Sequence, residues 1–427
     1  MIARLMRAVG TNPGGPVRET WRPPETVPLL PEIPRGDRKY PGVSYPLISL
    51  GRSYPLGGRR QFTVREVQAM AKPAVVFGGP SPEHDISVLT GLQAARLLAE
   101  AGADPAVLYW SKTGGWYLVA ADGEADDYAA GIPPKARELR FEARPQAGWF
   151  LKRRRLELDT VLVCCHGGPG EDGTLQGAMD LAGIRYSGPD AAASNLLMDK
   201  LTFGALMAAS GFPCLPRVPV DTGGPPDFSP PYIVKPRFGG SSIGIEVVSD
   251  YETAVALLGS SPHLDRGAVI EPYLEGGRDL NVAVRTYPRV ELSAIEAPVS
   301  EQFYDYREKY LSGGGIEGSA RELPASLPGE VEERIRSMAR RVTELTGIRS
   351  MARIDFLERD GELWVNEVNT IPGSLSLYLW VDPPISRRQL VVDMVAELEA
   401  AAPRRFSVAG ADGTALRGAA TISKKLG

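Results

Sequence analysis

"VLVCCHGGPGEDGTLQGAMDL", residues 161–181, sets the architecture. Val161 to Cys165 form an apolar run that reads as a buried strand, glycines close it, and Thr174 to Leu181 read as a helix. The same order occurs earlier in the chain. "AVVFGG" (74–79) ends in Gly-Gly, and Ile86 to Leu98 repeat apolar residues at helical spacing until Gly102 stops them. Two strand–glycine–helix units predict a parallel α/β layer, in which ligands gather at the carboxyl ends of the strands. Glu83 and His166 lie just past two such ends, which makes them candidate binding residues.

The remaining composition excludes several classes. The 427 residues are 43% hydrophobic and 23% charged, an ordinary globular balance with enough chain for two or three domains. A net charge of −4 argues against a nucleic-acid-binding surface. Three cysteines and three histidines make neither a disulfide framework nor a zinc cluster. Cys164 and Cys165 fall in an apolar strand and are expected as buried thiols. No stretch reaches the roughly 18 apolar residues of a membrane helix, so the expectation is a soluble protein of a reducing compartment. Residues 1–69 differ from the rest, with ten prolines, eight glycines and eleven basic residues against five acids. That segment is expected to be a linker or a disordered tail, and Met70 is a second plausible start.

Downstream, "MDK" (198–200) opens a helix-like run to Ser210, and residues 213–231 form a Pro-rich connection. "YIVKPRFGGSSIGIEVV" (232–248) reads as strand, Gly/Ser loop, strand; its backbone amides suit phosphate, with Lys235 as a point charge. It is not a Walker A loop, because no Gly-Lys-Ser/Thr occurs and a strand follows. "AVIEPYLEGGRDLNVAV" (268–284) gives two strands about a turn. An amphipathic helix is predicted from Glu330 to Leu345, followed by a hairpin of Met351–Glu358 and Leu363–Val368. Within "NEVNTIPGSLSLYLW" (366–380), Glu367 and Asn369 are two apart on a strand and share one face, as oxygen donors for a hard cation would. Residues 404–427 read as a loose, basic tail.

From Ala74 to Leu398 the chain resembles the D-alanine–D-alanine ligase family of the ATP-grasp fold. The resemblance rests on "GGPSPEHDIS", "HGGPGEDGTLQGAMDLAGIRYSG", "MDK", "VKPRFGGSSIG", "FYDYREKY", "ARIDF" and "NEVNTIPG", all in the family's order. It implies an α/β protein: an ATP-grasp fold preceded by a Rossmann-like parallel domain. The boundaries implied are 1–69 for the extension, 70–190 for the first domain, 191–270 for a lid, 271–403 for a catalytic domain and 404–427 for the tail. The implied activity is ATP-dependent ligation of two amino acids through an acylphosphate.

Residue by residue, Lys200 and Lys235 match the family's phosphate-binding lysines, and Ser241 and Ser242 the loop over the γ-phosphate. Glu271 to Leu274 match the adenine-holding segment, with Tyr273 and Leu274 as apolar walls. Asp279 stands where the family usually has a ribose-binding Glu. Asp355, Glu367 and Asn369 match the ligands of magnesium (or manganese), normally two ions. Arg353 and the amide of Gly373 match the groups that stabilise the tetrahedral intermediate. Glu83 matches the acid on the first substrate's ammonium, with His166 nearby. Tyr310 matches a tyrosine that bonds Glu83 and Ser241, and Lys309 a lysine facing the second substrate's carboxylate.

One departure from the family pattern bears on the acceptor: Tyr378 stands where a Ser five residues after the Gly is usual. Ser374 and Ser376 are candidate replacements, and a different second substrate is an alternative to D-alanine. A natural-product or self-resistance ligase and a non-catalytic ATP-binding relative are the other readings, the latter opposed by the intact charged set. Peptidoglycan precursor synthesis in the cytoplasm, small-molecule amino-acid partners and a homodimer follow from the family likeness.

The hairpin raises a register question. Asp360-Gly361 signals a two-residue turn, which would place Asp355 opposite Asn366 and turn Glu367 to the other face. A shared metal needs Asp355 opposite Glu367, so an odd loop or a bulge is expected between Glu358 and Leu363.

Overall fold

The computed structural model describes residues 72–221, 223–299 and 320–419. The extension 1–69, Met70, Lys309 and Tyr310 lie outside the described residues. Three sheets organise the rest.

The first sheet has eight strands: β1 (Ala74–Gly78), β2 (Ala106–Trp110), β3 (Trp116–Val119), β4 (Arg137–Glu142), β5 (Gly148–Leu151), β6 (Arg154–Arg155), β7 (Thr160–Val163) and β8 (Arg185–Tyr186). Their order is β6-β5-β4-β3-β2-β1-β7-β8. β2, β1, β7 and β8 are parallel, as the strand–glycine–helix units require. The other half is an antiparallel meander that extends this parallel layer. Short loops link β2 to β3 and β4 through β6, whereas the parallel neighbours are reached by crossovers with helices, such as His84–Glu100.

The second sheet is antiparallel, with β9 (Val218–Pro219), β10 (Tyr232–Pro236), β11 (Glu246–Val248) and β12 (Ala268–Pro272) in the order β11-β10-β12-β9. It packs on helix Tyr251–Ser260, whose cap Asp250 accepts from the Thr253 amide at 2.8 Å. The third sheet, β15-β14-β13-β16-β17, is built from β13 (Arg278–Arg285), β14 (Glu291–Pro298), β15 (Arg321–Glu322), β16 (Met351–Arg359) and β17 (Glu362–Asn369). Leu280, Val282, Ile354 and Phe356 face helix Gly329–Thr346 across its core.

Chain order and core membership part ways after β17. Leu375, Leu377 and Leu379, with Leu390, Val391 and Val395 of helix Arg387–Ala400, join the core of the first sheet rather than the third. The end of the chain therefore ties the two layers together at the turn that follows Asn369. The described part of the tail holds a short helix, Thr414–Gly418, and Arg404 pairs with Asp180 at 3.0 Å. Among the described residues no helix is long and apolar enough to cross a membrane.

Candidate active site

The β16–β17 hairpin fixes the centre of the site. Arg359 pairs with Glu362, so the turn is a regular two-residue loop with Gly361 at φ +83°. Asp355 nevertheless stands opposite Glu367, and Arg353 opposite Asn369. The extra residue is Asn366, bulged between the pairs Asp355–Glu367 and Phe356–Val365. The expected register is present, but the expected location of the irregularity, between Glu358 and Leu363, is wrong. A tight Asp-Gly turn is satisfied by its own geometry, so the parity change falls where the strand borders the cavity lined by Lys235 and Glu271.

Two adjoining cavities meet over this hairpin. The first is lined by Glu83, His166, Ser241, Arg353, Gly373 and Tyr378, among others. The second is lined by Lys235, Ser242, Glu271, Tyr273, Leu274 and Asp279, together with Asp355. Lys200, Arg353 and Glu367 line both, and Asn369 lines the first.

Each charged group is held by local structure. In "MDK", Asp199 caps helix Lys200–Ala209, accepting from the amides of Leu201 and Thr202 at 3.1 and 3.3 Å. The same carboxylate takes both ends of the Arg237 guanidinium at 2.7 and 2.6 Å, joining the helix to the strand that precedes the Gly/Ser loop. Lys200, thereby placed on the first helical residue, donates to the Gly239 carbonyl and lies 3.4 Å from Glu367. Across the second cavity, fully buried Glu271 stands 2.9 Å from Lys235 and 2.9 Å from Arg217. The Arg217 contact is an ion pair without hydrogen-bond alignment. Burial disfavours the Glu271 anion, but the two cations outweigh it and hold its carboxyl below the usual range. The side chain of Glu271 thus orients Lys235; Tyr273 and Leu274 are the apolar part of this wall.

Ser241 of the Gly/Ser loop donates to Glu83, and both Ser241 and Ser242 have positive φ (+53° and +58°). Glu83 is approached so closely by Gly167 that a Cβ there would stand 2.3 Å from Oε2, at a φ of +63°. Glycine is obligatory at that point of "HGGPG". His166 is buried beside it, hydrogen-bonded to Thr90 at 2.8 Å and to the Ile371 backbone. Burial lowers its pKa to about 4, so the ring is neutral near pH 7.

Arg353 binds Asp355 through two bonds of 2.7 Å, and Asn369 donates to Asp355 at 2.9 Å. Asp355, Glu367 and Asn369 offer an all-oxygen donor set on one face, the chemistry that Mg²⁺ prefers. Two carboxylates and one amide cannot complete a six-coordinate shell; among the described residues no cluster of three or more His, Cys, Asp or Glu exists to do so. The set fits an ion that arrives with phosphate oxygens.

At the far end of the first cavity, Tyr378 donates to Glu296 at 3.1 Å beneath the Arg321 guanidinium. Glu296 also accepts from Asn281 at 3.2 Å and Arg321 at 2.8 Å. Of the three candidates for the acceptor side, Tyr378 lines the cavity. Ser376 is fully buried and its hydroxyl meets no hydrogen-bond partner, and Ser374 meets Thr90 through its backbone amide at 3.3 Å. The reason is a run of left-handed backbone at Ser374, Leu375 and Ser376 (φ +49° to +50°), which turns the serines away from an extended pattern.

Sequence reading missed Arg217, Asn366, Glu171, Asn281 and Glu296. Arg217 sits in the Pro-rich connection without periodicity around it. Asn366 did carry a signal: the buried positions Leu363 and Val365 are two apart, but Val368 follows after three.

Residues 72–189 match the profile described as D-ala D-ala ligase N-terminus, and residues 226–396 that of D-ala D-ala ligase C-terminus. A D-alanine–D-alanine ligase of Bradyrhizobium sp. is 31% identical over 346 residues, covering 76% of this chain and 94% of that protein. The one from Sodalis glossinidius is 30% identical over 364 residues, covering 78% and 97%. Among solved structures, the VanG D-Ala:D-Ser ligase of Enterococcus faecalis aligns with a TM-score of 0.62 at 25% identity, over 77% of this chain and 99% of that one. The D-alanine–D-alanine ligase of Helicobacter pylori aligns with a TM-score of 0.59 at 24% identity, over 76% and 98%. The three-sheet layout is therefore the ATP-grasp fold behind a Rossmann-like layer, and the chain belongs to the D-alanine–D-alanine ligase family.

Proposed function

We propose that this protein joins two D-alanines at the expense of ATP, supplying the dipeptide for peptidoglycan precursors. The observation that carries the reading is that Lys200, Arg353 and Glu367 line both cavities. A phosphoryl group held in the second cavity thus lies against a carboxylate held in the first, with fixed charge at the junction. Phosphoryl transfer asks for positioning and charge neutralisation, and this wall supplies both.

Lys200, Lys235 and the Ser241–Ser242 loop take the phosphates, Tyr273 and Leu274 flank the base, and Asp279 reaches toward the ribose. Asp355, Glu367 and Asn369 would hold Mg²⁺, which would supply neutralisation of the phosphate charge. Glu83 binds the ammonium of the first D-alanine, with His166 as its neutral neighbour. Arg353 and the Gly373 amide stabilise the oxyanion that forms when the second amine attacks the acylphosphate. Tyr310 and Lys309 are assigned by sequence to the same centre, for lid closure and for the acceptor's carboxylate. The divisions 70–190, 191–270 and 271–403, a cytoplasmic setting and a homodimer belong to the same reading.

Tyr378 supports a second reading, in which the acceptor is an amino acid other than D-alanine. Phosphate release by the purified protein with ATP, Mg²⁺ and pairs of D- and L-amino acids separates the two. D-alanine alone should give dipeptide equal to phosphate released. Turnover only with a mixed pair supports the second reading, and no ATP-dependent ligation with any pair overturns both.

A further inference from the structure

We infer that Glu171 is a positioning residue for the ligation, holding the loop of residues 370–373 that presents the Gly373 amide. The inference rests on the proposed function. One Glu171 oxygen accepts from the Thr370 amide, the Thr370 hydroxyl and the Ile371 amide, each at 3.0 Å. The other accepts from the Gly167 amide at 2.9 Å. Four donors thus converge on one buried carboxylate that ends the short helix Gly168–Glu171 of the first layer and also lines the first cavity.

The donors come from both sides of the cleft. Gly167 belongs to the loop that cradles Glu83; Thr370 and Ile371 directly follow Asn369 and precede Gly373. Glu171 therefore fixes the spacing between the acid that receives the first substrate and the amide that receives the oxyanion. His166 and Thr90 grip the same loop through Ile371 and the Ser374 amide, so the contact is a clamp rather than a single bond.

Stability alone calls only for an acceptor at this point: an apolar side chain would leave three buried amides and the Thr370 hydroxyl unpaired, whereas the carboxylate satisfies them at the cost of burying a charge. What an anion adds is direction: it accepts four bonds and donates none, so it holds every amide in one orientation. Misplacement of a reacting group by about 1 Å lowers rate on the order of 100-fold.

The test uses the full chain carrying Glu171→Ala, Glu171→Gln or Thr370→Val, with kcat, D-alanine KM, ATP Kd and amide hydrogen exchange as readouts. Glu171→Ala should lower kcat by about 100-fold, leave ATP Kd within about twofold, and expose the Thr370 and Ile371 amides to exchange. Glu171→Gln keeps an oxygen toward residues 370–371 but sets an NH2 against the Gly167 amide, and should recover only part of the loss. Thr370→Val removes one donor to a charged acceptor and should lower kcat about tenfold; it carries the test should Glu171→Ala not fold. Wild-type kcat in folded Glu171→Ala or Thr370→Val, or ATP affinity falling in step with kcat, overturns the inference. Wild-type protein that makes no dipeptide while Glu171→Ala still frees the two amides counts against the proposed activity and leaves the loop contact standing.

Discussion

Replacing Glu271 by alanine tests the electrostatic core of the wall proposed to hold nucleotide. Its carboxylate is 2.9 Å from Lys235 and 2.9 Å from Arg217, with no exposure to water. At an effective dielectric of about 20 each pair attracts by ~6 kcal/mol, most of it offset by desolvation of the ions. Removing the anion leaves two buried cations 7% and 3% exposed, and breaking a buried pair in this way costs about 3–5 kcal/mol. Thermal unfolding followed by circular dichroism at pH 7.5 should show a midpoint lowered by about 5 °C. ATP affinity should fall as well, because Lys235 loses the partner that aims it. The pH dependence has a defined sign. Arg217 and Lys235 hold the folded carboxyl below its usual pKa against the effect of burial, so the stabilisation is present above the ordinary carboxylate range and is lost as pH falls through the lower folded value. The gap between wild type and Glu271→Ala should therefore shrink in acid. An unchanged midpoint at pH 7.5, or a gap that widens as pH falls, would refute the reasoning.

Three further outcomes are expected. Arg353→Ala should lower kcat by about 3–4 kcal/mol of transition-state stabilisation and change ATP Kd far less, since the charge it meets appears during the reaction; parallel losses in single-turnover rate and in ATP binding would contradict the assignment. Tyr378→Ser opens the acceptor end of the first cavity and should reorder acceptor preference with ATP KM unchanged, measured by competition between amino acids; a folded variant with the original ranking would return Tyr378 to a packing role. His166 is neutral in the fold down to about pH 4, whereas the unfolded imidazole gains its proton near pH 6.5. Stability should fall by up to ~3 kcal/mol as pH drops from 6.5 to 4, and urea unfolding of His166→Gln should lack that part of the decline.

The sequence by itself determined the elements and their chemical faces. Apolar runs closed by glycines located β1 and β7, "MDK" located the capped helix that presents Lys200, and the spacing of Glu367 and Asn369 put both on one side of β17. These are legible because strand alternation, helix capping and glycine's left-handed backbone act over a few residues. The break in parity from Leu363 and Val365 to Val368 was equally local, and it marks the bulge at Asn366 better than the Asp-Gly turn does. Tertiary structure decided what meets across the chain. Glu171 and Ile371 are 200 residues apart, Arg217 and Asn366 are 149 apart, and Tyr378 meets Glu296 from 82 residues away. No periodicity predicts such pairs. A buried carboxylate is tolerated only where donors from other segments arrive together, and their arrival depends on how the end of the chain returns to the core of the first sheet.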